Sequence, residues 1–250
     1  MSSLFHILAK IYSKIRNKIF WYYIFTYYWI YKNKLQNRID RILQFKVVDL
    51  SNKKTNTSLS PEELKGRALP GLEKSIKTGY YKYMLARYIF SIKYIKGKTI
   101  LDSGCGLGWG SYLISPYPKK LISIDISEKA IAFAKKHWKD KKLNFKKHSI
   151  LDLDLLNEKF DVILGMEIIE HLTFNQGKRY LRQSFKNLNR NGFLILSSSF
   201  PDSLEVAKKI KNENIYHQHI FTKKEIKYLS NEIGFLKPKF LGNFMVVLKK

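Results

Sequence analysis

Thr99-Ile100-Leu101-Asp102-Ser103-Gly104-Cys105-Gly106-Leu107-Gly108-Trp109-Gly110 decides how the rest of the chain reads. An apolar, β-branched run ends in a carboxylate. A glycine-rich turn follows, and helical spacing begins behind it. Glycines belong where the backbone takes positive φ or must approach a ligand closely. In an α/β sheet, the carboxyl edge at such a turn is where ligands bind. The spacing is G-x-G-x-G, not the G-x-G-x-x-G of a dinucleotide fingerprint. Asp102 lies two residues before the first glycine. A carboxylate there repels a pyrophosphate and suits a ligand that carries an ammonium group.

Outward from this loop, apolar stretches at 98–103, 120–125, 143–148, 160–166 and 192–198 alternate with helical patterns. The helices are expected near 109–115, 127–138, 175–189, 203–211 and 223–233. A terminal strand pair is expected near 235–240 and 243–249. The alternation predicts an α/β domain with a mostly parallel sheet. Thr222 with Glu225 forms a capping box for the last helix, and Gly234 stops it. Upstream, residues 73–94 read as a helix. Ser60 with Glu63 forms another capping box, and Pro70-Gly71 marks a turn. No internal repeat is present.

Leu121-Ile122-Ser123-Ile124-Asp125 is a second strand ending in a carboxylate, 23 residues after Asp102. An acid at this strand tip accepts hydrogen bonds from both hydroxyls of a ribose. Ser127 is placed to cap the helix behind it.

The stretch 99–110 resembles motif I of the class I S-adenosylmethionine-dependent methyltransferases, D-x-G-C-G-x-G. The resemblance extends over about residues 66–250. It implies a Rossmann-like sheet of seven strands, mostly parallel with an antiparallel last strand. It also implies S-adenosylmethionine as cofactor. In that reading Asp102 serves the methionine amino group, and Gly104, Cys105, Gly106 and Gly108 offer backbone contacts. Asp125 and the following Ile126 meet the ribose and base. Ser149 stands where relatives commonly carry an acid near the adenine amino group, so its hydroxyl or the Ile150 backbone takes that contact. Met166 and Glu167 lie at the fourth strand's exit. Arg87 is a candidate for the methionine carboxylate, or an ordinary helix-surface arginine.

Phe160-Asp161-Val162-Ile163-Leu164-Gly165-Met166-Glu167-Ile168-Ile169-Glu170-His171-Leu172 is the fourth strand and its exit. It resembles the F-D-V…E-V-I-E-H-L segment of methyltransferases related to the ubiquinone-pathway O-methyltransferases, the type 11 group, and also that of small-RNA 2′-O-methyltransferases. Three readings stay open here. His171, aided by Glu170, is a general base for an acceptor hydroxyl, because an imidazole titrates near neutrality. Alternatively Glu167, Glu170, His171 and a downstream histidine hold a divalent metal that lowers the hydroxyl's pKa. Between His217 and His219, the latter better fits the position before the Phe221-Thr222 helix start. Mn²⁺ or Zn²⁺ suits such a mixed set as well as Mg²⁺. In the third reading Glu170 and His171 only orient a loop.

The stretch Gly66–Gly71 and the tyrosine-rich helix behind it resemble the lead-in of methyltransferases of polysaccharide and surface-glycan pathways. Leu194-Ile195-Leu196-Ser197-Ser198-Ser199-Phe200-Pro201 supplies a polar exit loop beside an acceptor. Such loops vary with substrate and name none.

The charge is extreme, with 46 Lys+Arg against 20 Asp+Glu, a net +26. Part of it reflects a chain rich in Lys, Asn, Ile and Tyr throughout; the rest attracts anions. The first 46 residues carry nine Lys/Arg and one acid, Asp40. Leu4, Ile7, Leu8, Ile11 and Ile15 recur at helical spacing, and an uncharged aromatic run covers 19–31. That run is shorter than the roughly 20 residues of a spanning helix. Its Trp and Tyr suit a headgroup boundary. Residues 1–50 are therefore expected to be a helical extension lying on an anionic membrane surface, with a dimerisation helix or a lid as alternatives. Residues 51–65 read as a linker and 66–250 as the catalytic domain. A single cysteine and no cleavable leader predict a cytoplasmic protein, peripheral on the membrane face.

Three functions fit these features. The first is O-methylation of a glycan, lipid-linked or quinone-like small-molecule acceptor. The second is RNA 2′-O-methylation, against which the aromatics cluster in one apolar run instead of alternating with basic residues. The third is a non-catalytic protein that binds S-adenosylmethionine, against which stand the intact Asp102 and Asp125.

Overall fold

The computed structural model describes residues 31, 33–44, 48–49, 54–55, 77 and 80–250. The basic-aromatic run up to residue 30, most of the expected linker, the Ser60–Glu63 box and the Pro70-Gly71 turn lie outside the described residues. Within 51–65 the described pair Lys54–Thr55 forms a short antiparallel ribbon with Val48–Asp49.

Seven strands make one sheet: β1 (Thr99–Ser103), β2 (Lys120–Asp125), β3 (Leu143–Lys147), β4 (Phe160–Met166), β5 (Leu188–Ser197), β6 (Lys239–Leu241) and β7 (Met245–Lys249). Their spatial order is β3-β2-β1-β4-β5-β7-β6. The first five are mutually parallel; β7 runs antiparallel to both β5 and β6. This is the Rossmann-like methyltransferase arrangement that the sequence predicts. The helices are α1 (33–44), α2 (Tyr80–Ile95), α3 (Trp109–Ile114), α4 (Glu128–His137), α5 (Phe174–Asn187), α6 (Leu204–Asn212) and α7 (Lys223–Ile233).

The strands are apolar in runs because helices cover both faces. Successive residues feed two separate cores. Ile100, Leu121, Val162, Ile195 and Val247 pack on one side with α1 to α4. Leu101, Ile122, Ile163, Leu194 and Val246 pack on the other with α5 and α7. Thr222 caps α7 with a complete box, and Gly234 closes it in a left-handed turn, as expected. Thr173 with Gln176 makes a second box at α5.

Two strand starts depart from expectation, and that of β6 falls at Lys239 instead of 235. Strand β5 starts at Leu188 instead of 192, directly at the end of α5. Leu188 pairs with Phe160, and the register then slips before Val162 meets Phe193. The intervening Asn-Arg-Asn-Gly bulges out, with Asn191 at φ 63°. Asparagine tolerates that conformation, so a polar turn-like run sits inside a strand.

The described part of the N-terminal extension is bound to the domain. Leu35, Ile39 and Ile42 recur along one face of α1 and are buried in the first core. Among the described residues no helix is long and apolar enough to cross a membrane.

Candidate active site

Strands β1 and β2 deliver Asp102 and Asp125 to adjacent tips. Asp102 is completely buried. Its carboxylate accepts hydrogen bonds from Ser111 Oγ (2.5 Å) and from the Tyr88 hydroxyl (3.3 Å). Burial pushes its pKa up to about 7. The Ser111 and Tyr88 hydrogen bonds pull the other way, and the Asp125 charge adds to the rise. Asp125 is buried at the neighbouring tip. Its two oxygens accept from the Gly106 and Ser127 amides, both at 2.9 Å. The two acids thus hold adjoining parts of the chain, Asp102 the start of α3 through Ser111 and Asp125 the loop through Gly106.

The loop is pulled tight against β2, since the Gly104 and Cys105 amides both donate to the Ile124 carbonyl at 2.8 Å. Gly104 sits at φ +74°, and a Cβ there would lie 2.7 Å from Ile168. Gly108, at φ +78°, would put a Cβ 2.6 Å from the Phe145 ring. Only glycine meets both conditions.

Along the expected base-binding wall, Ile126 projects into solvent with 72% exposure beside Asp125. Ile150 is buried. The Ser149 hydroxyl accepts from the Leu151 amide at 3.1 Å, closing a turn of its own.

Met166 ends β4, and Glu167 follows in the left-handed region at φ 53°. The Glu167 amide donates to the Ser197 carbonyl (3.0 Å), and Ser197 Oγ donates to Glu167 Oε1 (2.8 Å). Arg87 from α2 pairs with the same oxygen at 2.9 Å. Arg87 is therefore no surface residue; its guanidinium is buried, with Nε lacking a partner. Burial alone would lower its pKa. The charges of Glu167, Tyr80 and Glu170 outweigh that and raise it.

Next to this pair a short 3₁₀ turn, Ile169–His171, presents Glu170 and His171. The Glu170 backbone carbonyl accepts from the Gln218 amide at 2.8 Å, which stitches the segment before α7 onto this turn. His171 Nδ1 lies 3.0 Å from the Tyr216 carbonyl. A carbonyl only accepts, so Nδ1 carries the proton and the tautomer this selects has its lone pair on Nε2. The His217 ring stands 5.5 Å from that of His171. Among the described residues, Glu170, His171 and His217 form a group whose ligand-type atoms lie within 4.8 Å of one another. Glu170 Oε2 and His217 Nδ1 are buried without a hydrogen-bond partner. Burial, helped by the Glu167 charge, raises the Glu170 pKa to about 8. Burial and the neighbouring His171 lower that of His217.

Two of the four expected metal ligands fall outside this group. His219 Nε2 is bonded to Glu225 Oε1 at 3.1 Å, and its ring packs on Phe174 and Phe221. It supports the α7 cap instead. Glu167 is held by Arg87 and Ser197. His217 takes the place expected for His219, because the Gln218–Glu170 bond fixes which of the two alternating histidines faces His171.

A family profile described as "Methyltransferase domain" matches residues 95–234. The chain belongs to this methyltransferase family. The ubiquinone biosynthesis O-methyltransferase of Pelagibacter ubique is 36% identical over 110 residues, which are 43% of this chain and 45% of that protein. A probable S-adenosylmethionine-dependent methyltransferase of Mycobacterium tuberculosis is 25% identical over 148 residues, 59% of this chain and 52% of its own length. The match thus spans about half the length of these curated relatives. Among solved structures, a SAM-dependent methyltransferase from Archaeoglobus fulgidus aligns with a TM-score of 0.58 at 19% identity, covering 68% of this chain and 94% of the other. The Synechocystis magnesium protoporphyrin IX methyltransferase with bound S-adenosylhomocysteine (SAH) aligns at 0.54 and 18%, covering 75% and 90%. These structures share the fold. The chain thus carries a methyltransferase domain, and the match to this family supports S-adenosylmethionine as the cofactor.

Proposed function

We propose that this methyltransferase methylates a hydroxyl of a glycan, lipid-linked or quinone-like acceptor. The observation that carries the proposal is the group Glu170, His171 and His217 beside the exit of β4. There the His171 tautomer, held by Tyr216, leaves Nε2 open as a proton acceptor. The acceptor oxygen attacks the sulfonium methyl carbon. The carbon–sulfur bond breaks, its electron pair returns to sulfur, and the hydroxyl proton passes to His171 Nε2. Such a transfer needs in-line positioning and one proton sink. Asp102 and Asp125 grip the amino and ribose ends of the cofactor. Arg87 lies near enough to Glu167 to share its charge with the methionine carboxylate. The 36% identity to a ubiquinone-pathway O-methyltransferase supports the choice of oxygen.

A second reading gives the same three side chains a divalent cation. The unpartnered Glu170 Oε2 and His217 Nδ1 fit that role, and two imidazoles favour Mn²⁺ or Zn²⁺ over Mg²⁺. When bound, such an ion lowers the pKa of the acceptor hydroxyl.

Methyl transfer from tritiated cofactor into lipid, glycan, quinone and RNA fractions tests the acceptor. Label confined to RNA sinks the proposal. Full transfer after EDTA removes the metal reading. The basic, aromatic N-terminus supports a site on an anionic membrane. Flotation with anionic liposomes checks this, and equal binding by a chain lacking residues 1–30 counts against it.

A further inference from the structure

α1 reaches the cofactor loop through two aromatic rings. Arg38 Nη1 donates to the Tyr112 carbonyl (2.6 Å) and to Ser115 Oγ (3.0 Å). Its Nη2 pairs with Asp140 at 2.8 Å, and its guanidinium carbon lies 4.3 Å from the centre of the Tyr112 ring. Arg41, one turn on, donates to the His137 carbonyl. Tyr112 in turn stacks on Trp138, with centroids 5.0 Å apart and planes 26° from parallel. The Trp138 indole Nε1 donates to the carbonyl of Leu107 at 2.7 Å. Leu107 sits between Gly106 and Gly108, both in left-handed conformations.

A loop this rich in glycine loses much backbone freedom when it is fixed, so its fastenings set how ready it is to receive a ligand. Asp125 and Ile124 fasten its first half, and Trp138 fastens the second. Trp138 also terminates α4, while Asp140 lies in the turn beyond it. Arg38 therefore ties α3, which starts at the loop, to the exit of α4, and it fixes the ring that Trp138 lies against. A planar guanidinium with three such contacts is not replaced by a lysine.

We infer that the N-terminal helix is a working part of the cofactor site: Arg38 is a positioning residue that acts through Tyr112 and Trp138 on the Leu107 carbonyl and so tunes affinity for the sulfonium nucleoside. The inference rests on the cofactor assignment and is independent of the acceptor.

Calorimetric titration of the full chain with SAH tests it. Arg38→Ala raises Kd about tenfold, and Trp138→Phe, which keeps an aromatic ring but loses the indole N–H together with the pyrrole half of the ring system, raises it ~3- to 10-fold. Arg38→Lys recovers a minor part. The double variant binds no more weakly than Arg38→Ala alone, since both changes release the same carbonyl; independent effects would multiply. Lys178→Ala, which removes an ion pair to Glu232 on the opposite layer, leaves Kd within about twofold. Arg38→Ala with a lowered melting temperature but unchanged Kd overturns the inference, as does a multiplicative double variant. If Arg38→Ala does not fold, an unchanged Kd in Trp138→Phe overturns it. Wild-type protein that gives no heat with SAH sinks the cofactor assignment and this inference together; wild-type binding with unchanged variants sinks the inference alone.

Discussion

Replacing Asp102 by asparagine should stabilise the ligand-free protein at pH 8 while weakening its grip on the cofactor. The carboxyl titrates at 3.8 when exposed and at about 7 in the fold. Between those values the unfolded chain gives up its proton first, so the native state loses stability as pH rises and has lost the full amount above pH 7. Three pKa units at about 1.4 kcal/mol each give roughly 4 kcal/mol of cost. Asparagine escapes that cost. It fits Ser111 and Tyr88 less well, because both donate to the carboxylate and the amide nitrogen cannot accept; this gives back about 1–2 kcal/mol. The net gain near pH 8 is roughly 2 kcal/mol, or about 4–8 °C in melting temperature for a chain of this size. At pH 4.5 the native acid is mostly neutral and the sign reverses, with the variant the less stable form. Loss of a charge-assisted bond to the cofactor's ammonium raises the Kd for SAH by about 10- to 100-fold. Wild-type affinity should fall with pH below 7, and the variant's should not. Thermal melts at pH 4.5, 6 and 8, paired with calorimetry, make the comparison. A variant less stable than wild type at both pH extremes, or one that binds SAH normally, refutes the account of Asp102.

Gly108→Ala meets both a positive φ and a contact 2.6 Å from Phe145. It should abolish measurable SAH binding and cost about 1–3 kcal/mol in a denaturant melt. Arg87→Ala leaves Glu167 half-buried without its cation. SAH affinity should drop at least about tenfold, and Arg87→Lys should restore little of it. The two histidines separate cleanly. On the metal reading, His217→Ala should remove methyl transfer and any bound Mn²⁺ or Zn²⁺, measured by elemental analysis, with a small change in melting temperature. His219→Ala should cost about 1 kcal/mol through the α7 cap and leave transfer intact.

The sheet was legible because its strands are doubly covered and therefore apolar in runs, and the loop was legible because glycine and acid occur there in a fixed local spacing. Thr222–Glu225 read correctly for the same reason: a cap is a four-residue event. What failed was long-range. The start of β5 was hidden by Asn189-Arg190-Asn191-Gly192, whose composition announces a turn and whose place is a bulge. His217 and His219 lie two apart, and nothing local says which one faces His171. That choice is made by the Glu170 carbonyl, 48 positions upstream of Gln218. Tyr88 and Ser111 gave no signal as partners of Asp102, because each comes from a different helix and only folding brings them together. Arg87 carried a weak signal, an arginine at the buried phase of an aromatic helix. The role of Arg38 had none, since its partners come from α3 and from the turn after α4.

Where the family profile begins, at residue 95, the hydrophobic layer is still unfinished. Leu35, Ile39 and Ile42 roof over that layer from some fifty residues earlier in the chain. A shortened protein cut at the profile's edge would uncover greasy surface and arrive sticky and slow to fold. A cut ahead of Tyr31 leaves that roof in place.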